Sequence, residues 1–136
     1  MSFISFPYEE KPSPIFRIVR RPIALVKVFS LKRKRWIEYT MIVDTGADYT
    51  VFPRSVAADL KINIEKECKE YLTKGVGGSE RVFISTKNVL IQIGDSTLKI
   101  PVGFLDRDDI PPLLGRQECL DMFELTFTNF FTSFRK

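Results

Sequence analysis

The chain is 136 residues long and 44% apolar, and carries 21 Lys and Arg against 17 Asp and Glu, for a net charge of +4 and a pI near 9.1. That is enough apolar material to core one domain and too little length for two, and it excludes a disordered tail. The absence of histidine excludes Ser-His-Asp triads, Cys-His dyads, HExxH sites and Cys/His zinc arrangements, leaving acid–base chemistry to carboxylates, Lys, Tyr or Cys.

In chain order, residues 1–14, punctuated by Pro7, Pro12 and Pro14, read as an extended arm, and residues 15–136 as a single domain. "IALVKVFS" and "WIEYTMIVD" are rich in β-branched and aromatic residues and predict a hairpin turning at the basic "LKRKR". "TVFP" predicts a short strand, and "PRSVAADLKI" a short helix with Pro53 at its start. "CKEYLTKGVGGSERVFIST" predicts a long hairpin around a glycine-rich centre. "NVLIQIG" and "TLKIPVGFL" predict a strand pair joined at "GDS". "PLLGRQECLDMF" changes period, with Leu114, Glu118 and Leu120 to Phe123 suiting a short helix after Gly115. "ELTFTNFFTSF" returns to period two, so residues from about 124 to 136 read as a strand segment. Many short strands with at most two short helices predict an all-β barrel or sandwich.

Cys68 and Cys119 match no metal or redox spacing, so a reducing, cytoplasmic compartment is expected and no metal or cofactor. The first residues show neither a basic n-region nor an apolar h-region, so no signal peptide is expected. No apolar run approaches the ~18 residues of a membrane span.

The residues that carry chemistry lie in "MIVDTGADYTVFP", positions 41–53. A carboxylate ending a buried strand is costly unless it is satisfied or put to work. Gly46 lets backbone N–H groups approach Asp44 closely, Thr45 offers a hydroxyl that both donates and accepts, and Ala47 leaves space. Asp-Thr-Gly alone is weak, arising by chance in about 3% of chains this long, and the bland alternative is a turn in which Asp44 caps local N–H groups.

Two further motifs follow in order. Asp44-Thr45-Gly46-Ala47-Asp48, Gly75-Val76-Gly77-Gly78 and Leu113-Leu114-Gly115-Arg116 together resemble the active-site loop, flap tip and second signature of retropepsin-like aspartic proteases, over roughly residues 20–127. The resemblance implies an acid-protease barrel with a flap hairpin and one short C-terminal helix. The family's chemistry needs two aspartates and this chain holds one such motif, since "GDST" at 94–97 is no second copy. A symmetric homodimer is therefore implied, with Asp44 facing its counterpart.

The resemblance implies that the two carboxylates share one proton, the ionised one activating water and the protonated one hydrogen-bonding the scissile carbonyl. It implies that Thr45 hydroxyls brace the pair across the dimer, that Arg116 pairs with Asp48, and that Gly75, Gly77 and Gly78 let a flap close over an extended peptide. Apolar subsites are implied at Ala47, Val76, Ile110, Pro111 and Leu113, with Tyr49 at the mouth. Two departures stand out: Lys74 where retroviral relatives carry glycine, and a long end with Phe130, Phe131 and Phe134, read as a dimer contact ahead of a membrane-proximal one. The alternatives are a catalytically silent dimeric peptide-binding domain and, behind it, a nucleic-acid-binding barrel using "RIVRR", "LKRKR" and Trp36. The expected partners are a second copy and an extended peptide or protein substrate, with no nucleic acid and no membrane span.

Overall fold

The computed structural model describes residues 2–75 and 78–136, so Val76 and Gly77 of the expected flap tip lie outside the described residues. The strands are β1 (Phe3–Pro7), β2 (Glu9–Ser13), β3 (Arg17–Arg21), β4 (Ile23–Ser30), β5 (Arg35–Val43), β6 (Thr50–Pro53), β7 (Cys68–Gly75) and β8 (Gly78–Ser85), followed by β9 (Val89–Ile93), β10 (Ser96–Ile100), β11 (Val102–Leu105), β12 (Leu113–Leu114), β13 (Glu124–Thr128) and β14 (Phe131–Arg135). Two short helices, α1 (Arg54–Asp59) and α2 (Ile64–Glu67), separate β6 from β7. The all-β expectation holds.

Nine strands form one sheet in the order β10-β9-β4-β5-β12-β6-β11-β8-β7. β10 is its first strand and β11 its seventh, yet only Pro101 separates them in the chain. The sheet must therefore fold over until these two meet. Among the described residues no ladder joins β10 to β7, so the expected barrel is a folded-over sheet that stays open. The core fills the fold. Val26, Val28, Met41, Phe52, Ile91, Ile100, Phe104 and Leu114 are fully enclosed, and Phe52 and Phe104 stack at 6.0 Å.

The β4–β5 hairpin forms as predicted, from Ile23 opposite Ile42 to Ser30 opposite Arg35. Its alternation is the expected one for a strand with one buried face: Ala24, Val26 and Val28 turn inward, Leu25 and Lys27 outward. Ser30, though buried, is satisfied, its hydroxyl donating to the Leu60 carbonyl at 2.8 Å and accepting the Arg33 N–H at 3.2 Å. The basic turn is engaged within the fold. Lys32 pairs with Glu67 at 2.7 Å, the Arg33 Nε donates to the Asp59 carbonyl, and Trp36 packs edge-on against Phe29.

Pro53 caps α1 in an extended conformation, as predicted, and Asn63 caps α2, its side chain accepting the Lys66 N–H at 3.1 Å. The "GDS" turn joins β9 to β10 with Gly94 at φ +58°, where a Cβ would also strike Ile4.

Two expectations near the C-terminus are corrected. The helix expected after Gly115 is only a single 3-10 turn, Leu120–Met122. Glu118 adopts φ +52°, which breaks helical continuation, and residues 116–119 run as turns instead. Residues 124–136 are not one strand but a hairpin, β13–β14, turning at Asn129 and Phe130, both with positive φ. The aromatic end packs in part on its own chain. Phe134 is buried in its own chain between Phe6 and Phe123, at ring distances of 5.9 and 5.3 Å. Phe130 lies against Tyr8 and under Arg20, and Phe131 remains half exposed.

Residues 3–7 pair with residues 131–135, so the chain's two ends meet in a three-stranded sheet β1-β14-β13, and β2 pairs with β3 in a separate hairpin. Phe134→Ala should cost about 3–5 kcal/mol, the usual range for an enclosed Phe truncated to Ala. Denaturant unfolding checks it; a loss below about 1 kcal/mol would mean that this sheet contributes little to the cooperative fold.

Candidate active site

Asp44 stands where β5 ends, and its position follows from how β12 is inserted. β5 and β6 are joined only by residues 44–49, yet they are not neighbours: Leu113 and Leu114 of β12 slot between them, parallel to β5 and antiparallel to β6. The connecting loop must therefore bridge over the end of β12. There the Asp44 N–H donates to the Leu114 carbonyl at 3.0 Å.

The loop is tied to itself and to the segment after β12. The Gly46 N–H donates to Asp44 Oδ1 at 3.0 Å, and the Ala47 N–H to the Asp44 carbonyl at 3.1 Å. The Arg116 N–H donates to the Ala47 carbonyl and the Gln117 N–H to that of Asp48. Beneath them the buried Thr50 hydroxyl accepts the Gly115 N–H at 3.1 Å. Asp44 is half-buried, while Thr45 and Gly46 are exposed above it. The result is a carboxylate with one oxygen oriented by a backbone donor, on a loop held by four backbone hydrogen bonds.

Gly115 is required by space. A Cβ there would sit 2.2 Å from the carbonyl carbon and oxygen of Tyr49. Gly103 is also closely approached, but by side chains: the Tyr49 ring and Val82 each lie 2.9 Å from where its Cβ would be. Tyr49, expected at the mouth, is thus a half-buried ring against β11. Burial pushes its phenol above the ordinary range, and the Asp48 charge adds to the effect. Cys119 lies enclosed beneath the same loop, its thiol pushed up to about 12 by burial, so it is held as the inert thiol.

The remaining expected residues divide. Leu113 and Ile110 are half-buried and Pro111 is exposed, whereas Leu114, the neighbour of Leu113, is the core residue. Ala47 is half-buried and Asp48 exposed. The expected Arg116–Asp48 ion pair is replaced by another: Arg116 Nε donates to Asp121 Oδ1 at 3.1 Å. The turns at 116–119 bring Asp121 back beside Arg116, and Asp48 is held through its carbonyl instead. Both side chains of the Arg116–Asp121 pair are about half exposed, so it is worth little by itself.

Two contributors were missed from sequence. One is Thr50, whose only signal was a hydroxyl in an otherwise apolar strand. The other is the charged brace behind the β7–β8 hairpin. Asp106 accepts from both Arg54 and Arg81, Arg107 reaches Asp109 and Glu80, and the Asp106 N–H donates to the Arg81 carbonyl at 3.2 Å. These contacts fix the Glu80–Arg81 stretch of β8 to the loop after β11. Gly75 and Gly78 lie opposite each other at the far end, Gly78 with φ +115°.

Hydrogen bonds from Arg81 first and then Arg54 hold the Asp106 carboxyl below the ordinary carboxylate range. Its stabilising contribution is therefore complete above that range and disappears as pH falls through the lowered value. Asp106→Asn should lower the thermal midpoint at neutral pH and flatten its fall on acidification. A variant with an unchanged acid limb would rule this brace out as a source of acid sensitivity.

Among the described residues no three His, Cys, Asp or Glu side chains group to hold a metal ion, and no helix is long and apolar enough to cross a membrane. The decisive comparison is with protein families. The family model described as "Aspartyl protease" matches residues 36–117, from β5 through the turn after Gly115 and so across the whole Asp44 loop.

The chain belongs to the aspartyl protease family.

No individual curated protein matches it. The matched stretch of this aspartyl protease chain contains all three motifs of the sequence analysis, while β1 to β4 and the β13–β14 hairpin lie outside it.

Proposed function

We propose that this chain is a retropepsin-like endopeptidase acting as a symmetric homodimer, with the Asp44 carboxylates of two copies meeting at the twofold axis. The observation that carries the reading is the Asp44 loop itself: a strand-end carboxylate with one oxygen oriented by the Gly46 N–H, in a chain with a single Asp-Thr-Gly. Water activation of this kind needs a second carboxyl group, and a second copy supplies it in the commonest oligomeric symmetry.

In the proposed dimer the two carboxylates are too close for both to ionise, so they share one proton and titrate as a pair. The ionised member takes a proton from a water lying between them, and that water attacks the scissile carbonyl carbon. The protonated member donates a hydrogen bond to the carbonyl oxygen as charge develops there. Collapse of the tetrahedral intermediate returns a proton to the leaving amine. Thr45, exposed beside Asp44, braces the pair across the axis.

The β7–β8 hairpin acts as the flap, with Gly75 and Gly78 in its tip. It covers an extended peptide held by backbone hydrogen bonds, with apolar choice made near Ala47, Ile110, Pro111 and Leu113.

Exposing wild type and Asp44→Asn to an unbiased peptide library from acidic to neutral pH, with cut sites read by mass spectrometry, tests the reading. Cleavage by wild type alone supports it. No cleavage by folded, dimeric wild type would leave a silent peptide-binding domain, and cuts by both proteins would remove Asp44 from the chemistry.

A further inference from the structure

A cleft of about 750 Å³ opens at the turn end of the β4–β5 hairpin, roughly 25 Å along the strands from Asp44. Its size is that of a small-molecule site. The wall is apolar, formed by Phe29, Leu31, Leu60, Ile62, Val89 and Leu90, while four lysines, Lys32, Lys61, Lys87 and Lys99, stand around it.

Among the described residues Glu67 is the one carboxylate in the lining, and it is already committed. It accepts from Lys32 at 2.7 Å and from the Asn63 N–H at 2.6 Å, and these two bonds, Lys32 first, hold it below the ordinary carboxylate range. Among the described residues, Lys61, Lys87 and Lys99 have no carboxylate within ion-pair distance. Lysine stems lie along apolar surface while their heads seek an anion. The Lys87 charge acts on Glu67 from beyond ion-pair distance, after the two bonds from Lys32 and Asn63. An apolar trough rimmed by three ammonium groups, none in a direct ion pair among the described residues, is complementary to one ligand chemistry.

We propose that this cleft binds an amphipathic anion, an aliphatic chain bearing a carboxylate or phosphate head, at a site separate from the Asp44 loop. The chain lies against Phe29, Leu60, Val89 and Leu90, and the head is held by Lys87 and Lys99 with Lys61. The cleft also borders the root of the β7–β8 hairpin, since Glu67 directly precedes Cys68, and Cys68 pairs with Ser85, another lining residue. A bound ligand therefore touches the base of the element proposed as the flap.

The chain carries its own reporter. Trp36, the single tryptophan, sets its ring against Phe29 at 5.1 Å. Dodecanoate, dodecyl phosphate, dodecanol and dodecyltrimethylammonium would be titrated, each below its aggregation concentration, with Trp36 emission and calorimetry as readouts. Both anions should bind saturably and shift the emission, with dodecanol and the cation at least roughly tenfold weaker. The double variant Lys87→Glu/Lys99→Glu, shown by its thermal melt to be folded, should lose at least roughly tenfold in affinity for both anions. Absence of saturable anion binding to folded wild type would overturn the proposal. So would equal affinity for dodecanol, or affinity unchanged in the double variant. None of these readouts uses peptide cleavage, so this proposal and the endopeptidase reading stand or fall separately.

Discussion

Asp44→Asn should abolish peptide cleavage while leaving the fold as it is. The two side chains are nearly the same shape, and the Asn carbonyl oxygen can still accept the Gly46 N–H that Asp44 Oδ1 accepts at 3.0 Å. What Asn lacks is a group that takes a proton from water. Loss of a positioned general base and acid corresponds to a fall of at least roughly 10²–10⁴-fold in kcat, with a thermal midpoint close to that of wild type. The dimer reading adds a sharper expectation. When Asp44→Asn is mixed with an equal amount of wild type and allowed to exchange, dimers with two intact copies are about a quarter of the total. Activity per wild-type chain should fall by about half even though no wild-type protein was removed. Activity that stays proportional to the wild-type chain added would mean that each copy works alone, and the homodimeric mechanism would be wrong.

Gly115→Ala should be the most damaging single-methyl change near the site. Its Cβ would sit 2.2 Å from the Tyr49 carbonyl, which is backbone and cannot swing aside as a side-chain end could. Either residues 47–50 or residues 114–117 must move. Both segments take part in the bonds that hold the Asp44 loop, from Asp44 N–H to the Leu114 carbonyl and from Gly115 N–H to the Thr50 hydroxyl. Overpacking of this kind costs about 1–3 kcal/mol and more where backbone is struck, with unpaired buried groups adding to it. A destabilisation of about 3 kcal/mol or more is expected from denaturant unfolding, together with loss of cleavage. Gly46→Ala provides the contrast. Its Cβ would come no closer than 3.3 Å to Asp44 Oδ1, so stability should change far less while the carboxylate is nudged. Equal stability losses in the two variants would contradict the assignment of Gly115 to the close approach.

Local pattern was a reliable guide where local chemistry decides structure. "IALVKVFS" and "WIEYTMIVD" alternate so regularly that only one face could be buried, and their pairing, the strand after Asp44, the short helix after Pro53 and the Gly-centred hairpin all formed as read. The Asp44 loop was legible too. Asp, a permissive Gly and a small Ala after an apolar strand describe a carboxylate approached by backbone donors, and the Gly46 N–H does approach it. The resemblance of three ordered motifs to aspartic proteases agrees with the family match over residues 36–117.

Elsewhere the sequence misled because the deciding contact was remote. A helical period after Gly115 could not reveal that Glu118 would turn to positive φ and draw Asp121 beside Arg116, which took the place of the expected Asp48 pair. Nor could period two in "ELTFTNFFTSF" reveal a turn at Asn129-Phe130, since a Phe at positive φ is disfavoured locally and is accepted here where Tyr8 and Arg20 pack on it.

The sequence by itself determined the strand-rich class, the inward faces of the main hairpin and the strand-end placement of Asp44, because alternation, glycine and a strand-end aspartate act over a few residues. Only the tertiary structure decided that β12 wedges β5 from β6 and so holds the Asp44 loop over its end, that Gly115 must lack a side chain, and that both chain ends share one sheet. Those outcomes depend on segments some 70 to 130 residues apart meeting in space, and the pairing energy that selects them is a property of the packed whole, which no local window of sequence carries.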